Sequence, residues 1–100
     1  MALKLRFDPQ AKRDLIEIRD YLLAHVSEQA ANHVRAELRA RFNRLRKNPN
    51  IGTTTTDAHI RILPPLRYPY RIYYTTTADA VFILHVRHTA RQEPELDDLR

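Results

Sequence analysis

The sequence YRIYYTTTADAVFILHVRHTAR, residues 70–91, contains two runs of β-branched, aromatic and aliphatic residues separated by a polar tetrad. This pattern predicts a β-hairpin with strands at residues 70–75 and 80–87 and a loop at residues 76–79. The segment AVFIL at residues 80–84 is apolar at every position. Such a run is typical of a central strand that is covered on both faces.

The register of this hairpin predicts which side chains share a face of the sheet. If the loop closes with Thr75 opposite Ala80, then Arg71 lies opposite Leu84. Residues that lie opposite each other in an antiparallel pair project on the same face. We therefore expect four side chains to project together: Arg71, Tyr73, Val86 and His88.

The chain before the hairpin predicts one strand and two helices. Residues 3–7 alternate between apolar and basic, as in a half-buried strand. Asp8 is the expected N-cap of a first helix that ends near residue 26, and Ser27 is the expected N-cap of a second that ends at residue 47. The helices carry apolar stripes: Ala11, Leu15, Ile18, Leu22 and Val26 in the first, and Ala31, Val34, Leu38, Phe42 and Leu45 in the second.

These elements predict an α+β fold of the order β-α-α-β-β-β, in which an antiparallel helical hairpin packs on a small antiparallel sheet. Residues 50–58 are a predicted loop, and residues 59–63 alternate as a strand does. We expect one domain at residues 1–91 and an acidic tail at residues 92–100. Most of the core is expected from Leu15, Ile18, Leu22, Val34, Leu38, Phe42, Ile72, Phe82, Ile83 and Leu84.

The amino-acid composition excludes several classes of protein. The 100 residues include no cysteine, which excludes disulfides and thiolate metal sites and suits a cytoplasmic protein. No apolar run approaches the ~18 residues of a membrane span, and the N-terminus lacks the apolar region of a signal peptide.

The charge of the chain favours an anionic partner. Residues 1–91 contain 16 Lys and Arg against 8 Asp and Glu, and such an excess indicates a nucleic acid, a ribosome or an acidic protein segment. A solubilising surface charge explains it as well. Arg41, Arg44 and Lys47 are expected on the basic surface of the second helix.

The candidate functional residues are basic and aromatic groups on or just beyond the predicted strands. Such groups bind phosphate, and Arg and His also supply acid-base catalysis on a phosphodiester. A set of solvated strand ends explains the same pattern without a function. We expect neither a metal site nor a cofactor, because His85 and His88 are three apart in a strand and point to opposite faces. The set is His59, Arg61, Arg71, Tyr73, His85, Arg87, His88 and Arg91.

The order of several segments resembles the ParE/RelE superfamily of bacterial type II toxins over nearly the whole chain. The resemblance implies a compact toxin that is neutralised in a stable complex by a small antitoxin encoded beside it. The matching segments are Ala11-x-x-Asp14-Leu15-x-x-Ile18-x-x-Tyr21, Leu45-x-x-x-Pro49-x-x-Gly52, Arg61-x-Leu63, Pro69-Tyr70-Arg71-Ile72-x-Tyr74, and Val81-x-Ile83-Leu84-x-Val86-x-His88-x-x-Arg91.

The two branches of the superfamily imply different targets. Members of the ParE branch inhibit DNA gyrase, and members of the RelE branch cut messenger RNA in the ribosomal A site. The first helix and the terminal histidine of the last strand resemble the ParE branch. The chain departs from the stronger nucleases, because no tyrosine follows His88 and the middle loop offers Asp57 but no glutamate as a base.

We therefore expect a ParE-like toxin that binds and inhibits DNA gyrase. The alternatives are a ribosome-dependent ribonuclease, with Arg61, Arg71 and His88 as the catalytic residues, and a basic nucleic-acid-binding module. An antitoxin helix is expected along the boundary of helices and sheet, with its carboxylates near Arg61, Arg71 and Arg91. The residues expected to bind a partner are Arg61, Arg71, Tyr73, Arg87, His88 and Arg91.

Overall fold

The computed structural model describes residues 2–90 of the chain. The predicted α+β class and the order of elements are confirmed, and a short additional strand, β2, lies in the predicted loop. The predicted acidic tail at residues 92–100 lies outside the described residues. The elements are β1 (Lys4–Phe7), α1 (Pro9–His25), α2 (Glu28–Lys47), β2 (Thr53–Thr54), β3 (Arg61–Leu63), β4 (Tyr70–Thr76) and β5 (Ala80–His88).

The five strands form one mixed sheet in the order β1-β5-β4-β3-β2. Strands β2 to β5 pair antiparallel in chain order, as predicted. The prediction of an antiparallel sheet is wrong for β1, which pairs parallel with β5 from Lys4 opposite Ala80 to Phe7 opposite Ile83. Alternation within a strand identifies its buried face but not the direction of its neighbour.

Both helices begin where their sequence predicts. Ser27 Oγ accepts a hydrogen bond of 2.9 Å from the Ala30 N–H, which satisfies a free donor at the start of α2. Asp8 occupies the N-cap position of α1, but its carboxylate makes no capping hydrogen bond within the described chain. Neither of these two helices combines the length and the hydrophobicity needed to cross a membrane.

The main core lies between the two helices and one face of the sheet, which we call the helix face. Every residue of the predicted α2 stripe is buried there, together with the strand residues Ile72 and Ile83. Leu15 and Ile18 of α1 are partly buried against this core. The predicted burial of Val26 is wrong, because α1 ends at His25 and leaves Val26 61% exposed.

A second, smaller apolar cluster lies on the opposite side of the sheet, which we call the outer face. Ile60, Tyr73 and Leu84 are buried in it, with Ile62 and Phe82 partly buried beside them. The prediction that Phe82 and Leu84 share a core with the helix stripes is therefore wrong. Alternate residues of a strand point to opposite faces, and α1 and α2 contribute to the main core alone.

Arg41 is buried at 4% exposure, so its predicted position on the basic surface of α2 is wrong. It follows Leu38 by three residues and precedes Leu45 by four, and this spacing places it on the apolar stripe. Its guanidinium donates hydrogen bonds to the carbonyl oxygens of Tyr70, at 3.0 Å, and of Pro64. Arg41 therefore attaches the segment between β3 and β4 to α2.

Candidate functional site

Basic and aromatic groups of the hairpin lie together on the outer face. Arg71 of β4 lies opposite Arg87 of β5, and Tyr73 lies opposite His85. Both arginines are half-buried, and Arg87 Nη1 lies 3.5 Å from His85 Nε2. Like charges that lie directly opposite each other destabilise a sheet. The outer face thus carries two guanidinium groups on neighbouring strands.

The predicted register of the hairpin is wrong. Thr75 lies opposite Phe82 rather than Ala80, and Arg71 lies opposite Arg87 rather than Leu84. The strand β4 also extends one residue beyond its predicted end, to Thr76. The loop is correspondingly shorter, and the Thr77 N–H donates to the Ala80 carbonyl oxygen at 2.9 Å.

A bulge in β5 determines which of its last residues reach the outer face. Leu84 is the extra residue of this bulge, between the pairs formed by Tyr73 and Tyr74. An extra residue reverses the alternation of the residues that follow it. Arg87 consequently shares the outer face with Arg71. The prediction that four side chains project together holds for Arg71 and Tyr73 but is wrong for Val86 and His88.

Arg61 lies on the helix face, opposite Tyr74 of β4. Its Nη1 donates hydrogen bonds to the carbonyl oxygens of Gly52, at 2.7 Å, and Asn50, at 3.3 Å. The guanidinium therefore holds the loop that precedes β2. It is separated by the sheet from Arg71, with which it was expected to act.

His88 also lies on the helix face, at the end of β5. Its ring meets that of Tyr70 edge to face, with 5.5 Å between the centroids, and its Nδ1 accepts a hydrogen bond of 3.0 Å from the Ala90 N–H. His88 borders a cavity of about 290 Å³ beside α1. The other residues that line it are Asp14, Glu17, Ile18, Tyr21, Tyr70, Val86 and Ala90.

The Asp14 carboxylate lies against the His85 ring between α1 and β5, and both residues are buried. Asp14 Oδ2 also accepts the Val86 N–H at 3.0 Å, and Oδ1 accepts from Gln10 at 2.9 Å. Burial lowers the pKa of His85, Asp14 acts in the opposite direction, and Arg87 adds to the lowering. Strand β1 pairs with β5 only as far as Ile83. The Val86 N–H lies beyond that pairing, and it donates to Asp14 instead of to a neighbouring strand.

The remaining predicted residues are His59 and Arg91. His59 is exposed in the turn before β3, and its N–H donates to Asp57 Oδ1 at 2.9 Å. Arg91 lies outside the described residues, so its predicted role stays a prediction. Within residues 2–90, no group of three or more His, Cys, Asp or Glu is arranged to hold a metal ion.

Sequence reasoning did not identify Asp14 and Arg41 as buried charged residues. The spacing of the apolar residues in both helices could have identified these two positions as buried. Asp14 follows Ala11 by three residues and precedes Ile18 by four, so it lies on the apolar stripe of α1 just as Arg41 does in α2. A charged residue on an apolar stripe requires a buried partner, and each of these residues has one.

A groove of about 960 Å³ runs between α1, α2 and β1. Leu5 and Phe7 of β1 are among the apolar residues that line it. Ile16 and Leu23 of α1 also line the groove, and each is 49% exposed. The groove includes three arginines of the helices: Arg19, Arg35 and Arg39.

These features define an α+β domain with two helices on one face of a mixed sheet and paired arginines on the other. The family model described as the ParE toxin of type II toxin-antitoxin system, parDE, matches residues 5–93. The chain belongs to this family. It is the toxin of a type II toxin-antitoxin system, and an antitoxin is its partner.

A solved structure supports the same fold. It is described as the chromosomal ParDE TA system from P. aeruginosa and superposes with a TM-score of 0.75. The two chains are 18% identical, and the match covers 87% of this chain and 96% of the other. A comparison with curated proteins finds no match.

Proposed function

We propose that this toxin stops growth by binding DNA gyrase rather than by cutting RNA. The observation that supports this proposal is the separation of the three groups that a ribonuclease would use. Arg71 lies on the outer face, whereas Arg61 and His88 lie on the helix face. A general acid or base must lie within hydrogen-bond reach of the atom that it serves, and groups on two faces of a sheet do not converge on one phosphodiester.

Two of these groups also have structural partners. The Arg61 guanidinium is bonded to the carbonyl oxygens of Asn50 and Gly52. Nδ1 of His88 is bonded to the Ala90 N–H. These contacts hold both side chains on the helix face, across the sheet from Arg71, so binding is the function that the geometry supports best.

The test compares the two targets directly. We expect the purified toxin to inhibit supercoiling by purified gyrase in the absence of ribosomes, and we expect prior addition of the antitoxin to prevent the inhibition. We expect no cleavage of messenger RNA when the toxin is added to translating ribosomes. Cleavage by the wild type that is lost in both Arg71→Ala and His88→Ala would overturn the proposal in favour of the ribonuclease.

We further propose that the antitoxin binds in the groove between α1, α2 and β1. Antitoxins of this superfamily typically wrap their toxin with an amphipathic, acidic segment. The exposed Ile16 and Leu23 match the apolar side of such a segment, and the arginines of the groove match its carboxylates. A segment that folds on binding needs a large apolar contact to offset its loss of conformational freedom.

This position differs from the one predicted from the sequence. A single antitoxin helix was expected to contact Arg61, Arg71 and Arg91. Because Arg61 and Arg71 lie on opposite faces of the sheet, one helix along the boundary of helices and sheet does not reach both.

A further inference from the structure

A second exposed apolar surface lies between α2, the end of β3 and the segment that follows β3. Ile51 and Leu66 are exposed there, at 39% and 64%. Both line a cavity of about 280 Å³, which we call the side pocket. Single exposed apolar residues are normal on a protein surface, but two of them at the mouth of one cavity indicate a binding site. No residue of the side pocket lines the groove between α1, α2 and β1, so the two surfaces are separate.

Arg41 fixes the wall of the side pocket. Its buried guanidinium donates hydrogen bonds to the carbonyl oxygens of Tyr70 and Pro64, which hold residues 64–69 against α2. Leu66 and Arg67 lie in this segment and line the pocket. The side pocket is therefore formed before a partner binds, and a preformed surface loses less conformational freedom on binding.

The charge of the side pocket favours an acidic partner. Three guanidinium groups line it, and the only carboxylate among its lining residues is that of Glu37. Glu37 Oε1 lies 3.6 Å from Arg41 Nε, so Arg41 balances its charge. Arg44 and Arg67 are exposed and leave an excess of positive charge, which is complementary to carboxylates on a partner.

The size of the side pocket and its arginines favour an aromatic side chain. Cavities that hold whole small molecules measure about 300–1,000 Å³, so the side pocket suits one side chain rather than a helix. Tyr and Trp are frequent anchors in such pockets, and guanidinium groups stack on their rings. Arg67 already makes this contact within the chain, since its Cζ lies 5.6 Å from the centroid of the Tyr68 ring.

We propose that the toxin binds gyrase through the side pocket, which receives an aromatic side chain of gyrase that is flanked by carboxylates. The ring lies against Ile51 and Leu66, and the carboxylates pair with Arg44 and Arg67. This inference rests on the proposed function, because it assigns a surface to the target proposed above. Since α2 borders both the side pocket and the groove, an antitoxin bound in the groove obstructs a partner as large as gyrase.

The experiment measures the toxin concentration that halves supercoiling by purified gyrase. Leu66→Asp puts a carboxylate at the mouth of the pocket, and Ala40→Phe fills the pocket without a change of charge. Both positions are exposed, so the fold should tolerate the changes. We expect each variant to need at least about tenfold more toxin, because an anchor side chain loses its contact.

Each variant has a matched control with the same substitution. Val26→Asp and Ala36→Phe are at exposed positions that line neither the side pocket nor the groove. Both controls should inhibit gyrase as the wild type does, and thermal unfolding checks that all four proteins are folded. The Kd of the antitoxin should be the same in the two pocket variants as in the wild type.

Three results would overturn the proposal. The first is unchanged inhibition in both pocket variants. The second is equal weakening in the pocket variants and their controls, since the effect would then not depend on the pocket. The third is a rise in the antitoxin Kd as large as the loss of inhibition, which would assign the side pocket to the antitoxin.

A peptide probe tests the chemistry of the side pocket without gyrase. The chain contains no tryptophan, so the fluorescence of the peptide Asp-Trp-Asp with blocked ends reports its binding directly. We expect a Kd of about 1 mM, as suits the contact of one side chain, and no binding to Leu66→Asp. Lys-Trp-Lys should bind about tenfold more weakly. Equal binding of the two peptides, or no binding of Asp-Trp-Asp, would contradict the proposed chemistry.

Failure of this proposal can be distinguished from failure of the proposed function. A wild-type toxin that does not inhibit gyrase overturns the proposed function, and the assignment of gyrase to the side pocket with it. A wild-type toxin that inhibits gyrase no better than Leu66→Asp and Ala40→Phe overturns the assignment alone.

Discussion

At the scale of single residues, the only glycine in the sequence, Gly52, is required by a close contact rather than by its backbone conformation. The hydroxyl of the fully buried Tyr74 accepts the Gly52 N–H at 2.9 Å and donates to the Pro49 carbonyl oxygen at 2.8 Å. A Cβ at position 52 would lie 2.6 Å from that hydroxyl oxygen. Because Tyr74 is fully buried, its ring can shift only if the side chains around it move as well.

We therefore predict that Gly52→Ala destabilises the fold by about 1–3 kcal/mol through overpacking. The measurement is the free energy of unfolding from urea titrations. Thr56→Ala, at an exposed position between β2 and β3, is the control and should change stability by less than about 0.5 kcal/mol. A similarly small effect at Gly52 would contradict the prediction.

His85 should make the stability of the protein depend on pH. Burial has the largest effect and lowers its pKa in the folded state, and the charge of Arg87 lowers it further. Asp14 and Glu17 act in the opposite direction. The unfolded chain, with a His pKa of about 6.5, then binds more protons than the folded chain at mildly acidic pH. Stability is therefore expected to be fully present above about pH 6.5 and to fall as the pH decreases below it.

The measurement is the urea midpoint at about pH 7.5 and about pH 5.5 for the wild type and for His85→Gln. We predict a larger loss on acidification in the wild type than in the variant. The same loss in both proteins would assign the pH dependence to other groups.

At the scale of elements, Arg41 links α2 to the segment that carries the chain from β3 to β4. Burial lowers the pKa of Arg41, and the carboxylate of Glu37, 3.6 Å away, opposes this effect. Burial raises the pKa of Glu37 in turn, against the charges of Arg41 and Arg67. The guanidinium remains buried because several backbone carbonyl oxygens accept its hydrogen bonds.

We predict that Arg41→Lys costs about 2–4 kcal/mol, because an ammonium group does not reproduce the fork of hydrogen bonds. Arg44→Lys makes the same change at an exposed position of α2, and it should cost less than about 0.5 kcal/mol. Chemical denaturation of the two variants measures the difference. Equal stabilities would mean that the carbonyl contacts of Arg41 contribute little.

At the scale of the whole molecule, the toxin has two separate surfaces. The apolar groove lies on the side of the helices, and the paired arginines lie on the outer face of the sheet. Substitutions in the groove therefore leave the outer face of the sheet unchanged. The proposal that the antitoxin binds in the groove can therefore be tested with variants of the groove alone.

We predict that Ile16→Asp/Leu23→Asp raises the Kd of the antitoxin complex at least about tenfold, because two apolar side chains lose their contact with the partner. Both positions are half exposed in the free toxin, so the fold should tolerate the change. Val26→Asp is the control, since Val26 is 61% exposed and does not line the groove. Isothermal calorimetry gives the Kd values, and an unchanged Kd in the double variant would place the antitoxin elsewhere.

The sequence by itself determined the two helices, the buried stripe of α2, the presence of the hairpin and the resemblance to the family. These properties depend on local patterns, such as the recurrence of apolar residues in α2 at spacings of three and four, and each pattern lies within a short segment. The cap at Ser27 and the change from helix to loop after Lys47 are equally local.

Only the tertiary structure decided the direction of β1, the bulge at Leu84 and the burial of Arg41. Each of these depends on contacts between residues that are far apart in the chain, and their energies do not appear in the local pattern. The bulge had the largest consequence for the candidate site. Because side chains alternate along a strand, one extra residue was enough to move His88 to the helix face and Arg87 to the outer face.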